Sequence, residues 1–203
     1  YITNEDYLTN FKADMIVNNN QIKDLILSSQ FATKEDLKLS IKTNSNNEKI
    51  TDLFAGNAKP LVKKYDFIKG FEGGYLKFDS IEKNKVSNSN LKIFDFKLKE
   101  VPALTKLLTL ASLQGIADLL TGEGIRFNEF EMIFNNKAGL MTIEEIYSLG
   151  PSISILMDGY IQKDDLVFKM IDLENVKTSR VGIVHEYGIM SSAYIRFRFN
   201  SDS

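Results

Sequence analysis

The chain has no cysteine, no tryptophan, one histidine and three prolines among 203 residues. Without cysteine there are no disulfides and no thiolate metal sites. His185 is the single histidine, and no Gly-x-Ser-x-Gly surrounds any serine that it could activate. We read it as an ordinary surface or edge-strand residue. Neither sign of charge is in excess: 25 Lys and Arg stand against 27 Asp and Glu, a net charge of -2. That balance supplies none of the basic surplus that nucleic acid binding needs, so no nucleic acid partner is expected. Long apolar runs are also missing. No stretch reaches the roughly eighteen uninterrupted apolar residues of a membrane span. The residues from Tyr1 onward do not read as a charged start followed by an apolar signal region. The chain is taken as a fragment, with any export signal upstream of Tyr1.

What is present is alternation. From Pro102 to about Asp172 the pattern predicts one helix and then a meander of strands. Pro102 suits a first helical position, Gly122 suits a left-handed cap, and Leu104, Leu107, Leu108, Ala111 and Gly115 recur at helical spacing between them. The period then changes to two. Phe130, Met132 and Phe134 form one row, and Asn136 to Gly139 is expected to turn the chain. Leu140 to Ile146 resumes the strand and Gly150-Pro151 breaks it. Ile153, Ile155 and Met157 form the next row, and Leu166, Phe168 and Met170 follow after a turn at Lys163, Asp164 and Asp165. Short alternating runs joined by polar turns argue for antiparallel neighbours.

The N-terminal part reads similarly. Residues 1–45 predict three strands, with Asn18-Asn19-Asn20 as a turn and Leu37, Leu39 and Ile41 alternating with lysine and serine. Residues 48–69 read as helical: Ile50, Leu53, Phe54, Leu61, Val62, Tyr65 and Ile68 fit a period near 3.6, and Gly56-Asn57 and Pro60 divide them into two short helices. Gly70, Gly73 and Gly74 read as a turn. Tyr75 to Ile81 and Leu91 to Leu98 then pair around a polar loop at 82–90. Phe94, Phe96 and Leu98 share a row, while Leu91 and Ile93 fall on the other parity, so a bulge is expected near Ile93-Phe94. The fold class is therefore α+β, mainly antiparallel β, a sheet meander with two helical insertions at about 48–69 and 102–121. Residues 176–203 read as a separate tail.

Chemistry-bearing constellations are sparse. Glu144-Glu145 and Asp164-Asp165 are paired acids, but adjacent strand residues point to opposite faces and do not flank one substrate. The glycines at 70, 73 and 74 precede a strand, whereas a phosphate loop follows one and opens a helix. Asp36, Asp52 and Asp79 lack calcium-loop spacing. No catalytic residue, metal site or cofactor is expected, and the reading is non-enzymatic. The apolar rows can be plain core. Alternatively they can line an open groove.

The order of phrases over residues 50–172 carries a family resemblance. An apolar helix is followed by Leu120-Thr121-Gly122-Glu123-Gly124-Ile125, then Phe127 and Phe130, then Gly139-Leu140-Met141-Thr142-Ile143, Gly150-Pro151 and Gly159-Tyr160-Ile161. This resembles the C-terminal region of the AsmA-like family, the group that includes YhdP and TamB, and is closest to its alphaproteobacterial, YhdP-like branch. The resemblance implies a curved β-groove over residues 1–175, with 176–203 a diverged tail. It implies phospholipid acyl chains as ligand and a role in phospholipid transport between inner and outer membranes and in envelope integrity. Further implied partners are the missing N-terminal part of the same protein and inner- or outer-membrane proteins. The implied location is the periplasmic side of the inner membrane, anchored by an N-terminal segment absent from this chain. Phe94, Phe96, Leu98, Phe130, Met132, Phe134, Ile153, Ile155, Met157, Leu166, Phe168 and Met170 are the candidate lipid-contacting residues. The alternative is a structural or interaction module that assists outer-membrane protein assembly.

Overall fold

Strands form nearly everywhere the sequence alternates with a period of two. In a computed structural model the backbone is described for residues 7–63, 69–100, 124–150, 154–162, 165–169, 179–183 and 191–195, and side chains within 7–63, 70–99 and 124–150. The strands are β1 (Leu8–Asn18), β2 (Gln21–Phe31), β3 (Asp36–Thr43), β4 (Lys49–Ala55), β5 (Lys69–Lys83), β6 (Val86–Glu100), β7 (Ile125–Lys137), β8 (Leu140–Leu149), β9 (Ser154–Gln162) and β10 (Asp165–Lys169). They make one ten-stranded sheet in sequence order, each strand antiparallel to the next. Within the tail, β11 (Ser179–Ile183) and β12 (Ser191–Ile195) pair with each other as a separate sheet.

The expected helices at 48–69 are replaced by strand β4 and a four-residue helix, α1 (Lys59–Val62). The helical-looking spacing of Ile50, Leu53 and Phe54 has another cause. Both faces of β4 carry apolar side chains, Leu53 opposite Phe78 on one face and Phe54 against Tyr75 on the other. Packing on both faces overrides the local pattern. The expected helix at 102–121 lies outside the described residues. Mainly antiparallel β is the class; helix is nearly absent among the described residues.

Turn chemistry divides the sheet into two ends. At one end sit two-residue turns: Asn19-Asn20 (φ 48 and 59), Asn84-Lys85 (φ 53 and 64) and Ala138-Gly139 (φ 52 and 83). Positive φ at both central positions is the type I′ signature that matches the twist of paired strands. The expected polar loop at 82–90 is therefore mostly ladder, with Lys83 opposite Val86. The expected turn at 136–139 likewise shrinks to Ala138-Gly139, closed by Lys137 opposite Leu140. Opposite lies the end with the longer connections. There Gly56 N–H donates to Asp36 O (2.8 Å) and Ala58 N–H to Gly74 O (2.9 Å), which ties α1 to β3 and β5.

The glycines at 70, 73 and 74 are inside β5 and form no turn before it. Gly74 has φ +79, and a Cβ there would lie 2.9 Å from both Phe94 O and Phe96 Cβ. Its counterpart on β6 is Asp95, φ 53, which drops out of both neighbouring ladders. The bulge expected at Ile93-Phe94 is not formed, since register is unchanged across Asp95 on both sides; a left-handed pair, Gly74 and Asp95, stands in its place. The positive φ at these two positions flips the alternation, so that Ile93 and Phe96 share one face and Phe94 takes the other.

Candidate functional site

Register assembles the apolar rows into one face. Ala13, Leu27, Leu39, Leu53, Phe78, Leu91, Met132, Ile146 and Met157 are successive cross-strand partners from β1 to β9. At about 4.8 Å per strand step this row spans about 38 Å. A second row joins Ser29, Leu37, Ala55, Leu76, Ile93, Phe130, Ser148 and Ile155. A third joins Met15, Leu25, Ile41, Thr51, Ser80, Ser89, Phe134, Ile143, Gly159 and Phe168. This third row softens to hydroxyls at its centre, where Ser80 and Ser89 share a hydrogen bond of 2.8 Å.

The face is closed at the end with long connections and again on β8, where Ile143 is 2% and Ile146 4% exposed, and it is open between them. At the end with long connections, Phe31, Ala55, Ala58, Val62, Phe71, Leu76, Ile93, Phe96, Ile125 and Phe127 form a buried cluster. Phe71 stacks on Phe96 at 5.2 Å and Phe96 on Phe127 at 5.3 Å, a three-ring ladder across β5, β6 and β7. Away from this plug, Leu27, Leu39, Leu53, Phe78, Leu91, Met132 and Phe134 are only half-buried. A hollow of about 470 Å³ centres on Leu27, Leu39, Leu53 and Phe78. The Phe78 and Phe134 rings approach to 6.4 Å across the intervening β6, although their backbones stand two strand steps and two residues apart, about 12 Å.

The reverse face is charged. Lys92 Nζ lies 3.0 Å from Glu131 Oε1, and Asn90 Nδ2 donates to the same oxygen at 2.8 Å. Desolvation pushes the Glu131 carboxyl up, but these two hydrogen bonds and the lysine charge outweigh it and hold it below the usual range. Lys92 is raised in turn, first by its hydrogen bond to Glu131. Asp79 faces Asp52 directly across the ladder. Its carboxyl is raised, first by desolvation and then by the Asp52 charge. Tyr75 and Phe94 stack at 4.8 Å on this face, with Lys77 Nζ 5.9 and 5.8 Å from their centroids.

The sequence-derived residues separate accordingly. Phe130, Met132 and Phe134 lie in the three rows of the apolar face, and Ile155, Met157 and Phe168 occupy matching register positions. Leu166 pairs with Ile161, which itself pairs with Met141. Phe96 is in the plug at 5% exposure, with Leu98 packed beside it. Phe94 is a correction: the flip at Asp95 puts it on the charged face, beside Tyr75. Ile153 and Met170 lie outside the described residues. Sequence reasoning missed Leu27, Leu39, Leu53 and Phe78, the residues around the hollow. In the sequence Leu39 marks only a strand with one wet face, and only register joins it to the others.

Among the described residues no cluster of three or more His, Cys, Asp or Glu side chains could hold a metal ion, and no helix is long and apolar enough to cross a membrane. Comparisons of the chain with protein-family models, curated proteins and solved structures each find no match.

Proposed function

We propose that the open part of the apolar face is a groove-like trough for lipid acyl chains, and that the chain is a non-enzymatic, AsmA-like piece of an envelope protein that supports phospholipid movement between inner and outer membranes. The observation that carries this reading is the unbroken cross-strand row from Leu27 to Met132, half-buried along its length over a sheet whose other face is charged. A row meant only as core would be covered throughout, as the plug end is. The inward lean of Phe78 and Phe134 supports a concave trough, since side chains on a concave face converge.

The energetics need no polar site. An acyl chain leaving water gains about 0.8 kcal/mol per CH₂, so about sixteen carbons gain roughly 13 kcal/mol before ordering costs. The half-buried part of the row, five strand steps from Leu27 to Met132, is about 24 Å long. It suits a lipid that slides, because every side chain along it is apolar.

The test is mass spectrometry of organic extracts of the chain purified from bacterial membranes, beside a Leu39→Glu, Leu53→Glu variant whose circular dichroism matches the parent. Phospholipid is expected with the parent and absent from the variant. Folded parent protein free of lipid would sink this reading and favour the interaction module.

A further inference from the structure

Exposed apolar side chains gather on the sheet's first strand. Phe11 is 60% exposed, Met15 57%, Ile16 57% and Val17 51%. β1 pairs only with β2, so its outer N–H and C=O groups meet no ladder among the described residues. An open, apolar edge of this kind is a template for another strand. Its two central charges, Lys12 and Asp14, are opposite in sign and two residues apart, on the same face.

We propose that β1 pairs antiparallel with β1 of a second copy of this chain, about a two-fold axis through Ala13. A two-fold axis normal to the sheet keeps each face on its own side, so it must pass through a residue. Through Lys12 or Asp14 it would oppose like charges. Through Phe11 it would set Lys12 against the partner's Asn10, and through Met15 against the partner's Asn18, with Asp14 unmatched in both. Through Ala13 it sets Lys12 against the partner's Asp14 twice and Phe11 against the partner's Met15 twice. Opposite charges and apolar pairs are the favourable cross-strand partners, and like charges the unfavourable ones. The bulge at Asn10 (φ 52) ends the new ladder on one side, leaving Phe11–Met15 as the paired segment. Ala13 and Met15 face Leu27 and Leu25 within the sheet, so the apolar rows of the two copies run into each other across the axis.

The experiment is sedimentation velocity on the chain, its Lys12→Asp and Asp14→Lys variants, and an equimolar mixture of those two. A dimer is expected for the parent. Each single variant opposes like charges at both positions and should weaken the dimer by at least about tenfold. The mixture should restore it, because the acidic variant then meets the basic one at both positions. That recovery is something misfolded variants cannot produce. In this cysteine-free chain, Ala13→Cys should also cross-link to itself under mild oxidation, while Ser45→Cys should not, because only the residue on the axis faces its own copy at disulfide distance. A monomeric parent, a dimer indifferent to both charges, or a mixture that stays monomeric would each overturn the proposal.

Discussion

At one end of the apolar face Phe127 is 1% exposed and Ala55 0%; at the other, Leu27, Leu39, Leu53 and Phe78 project from neighbouring stretches of the same sheet and are half-buried. Residue type does not separate the two ends. What the connections carry does. The turns at 19–20, 84–85 and 138–139 and the five-residue loop at 44–48 bring no buried side chain over the open end. The 55–69 connection supplies α1, whose Val62 is 5% exposed in the cluster. The strand flip at Gly74 and Asp95 then brings Phe96 to the plugged side while sending Phe94 away. Burial here is decided by what the loops carry, so stability and ligand access come from different parts of one continuous surface.

The comparison breaks most visibly at Phe127. Phe127→Ala removes a fully buried ring between Phe96 and its surroundings, and the expected loss is about 3–5 kcal/mol. Urea denaturation would read it; a loss below about 1 kcal/mol would mean that the plug is not the stability centre. Leu53→Ala should cost only about 1 kcal/mol, since a half-buried leucine has gained only part of its transfer energy. The same variant should nevertheless deplete bound lipid in extracts, and equal stability losses at positions 53 and 127 would erase the distinction between the ends.

The smallest effect belongs to the charged face. Asp79 has a raised carboxyl pKa in the folded state, so folding favours its protonated form and its ionisation costs stability as pH rises through the folded value. Asp79→Asn should therefore melt slightly higher than the parent at pH 7. Its advantage should shrink as pH falls and the parent's carboxyl protonates. Melting curves from pH 4 to pH 7 check this; a pH-independent gap, or a less stable variant at pH 7, would show that Asp52 and Asp79 do not repel as their register implies.

Much of the sheet was legible because alternation and turn residues agree. Leu37, Leu39 and Ile41 between lysines and serines, and Phe130, Met132 and Phe134 between polar neighbours, mark strands and their apolar side directly. The helical reading at 48–69 failed because β4 has apolar residues on both faces, which destroys the period of two. Phe94 was assigned to the wrong face because positive φ at a non-glycine residue, Asp95, leaves no reliable mark in sequence. The hollow could not be seen at all. It depends on Leu27, Leu39, Leu53 and Phe78 meeting in register, a relation between four strands that no single window contains.

Among the described residues, every strand of the large sheet hydrogen-bonds only to its neighbours in sequence. Such a molecule is close to one-dimensional in its cooperativity, with stability a sum of nearest-neighbour terms, and is less all-or-none than a wrapped core. Its contacts close short loops, which favours rapid zippering outward from a nucleus. The plug across β5, β6 and β7 is the natural nucleus, so amide exchange should slow toward those strands and quicken toward β10. Strands could be gained or lost at the margins in evolution, lengthening or shortening the same surface without redesigning its centre.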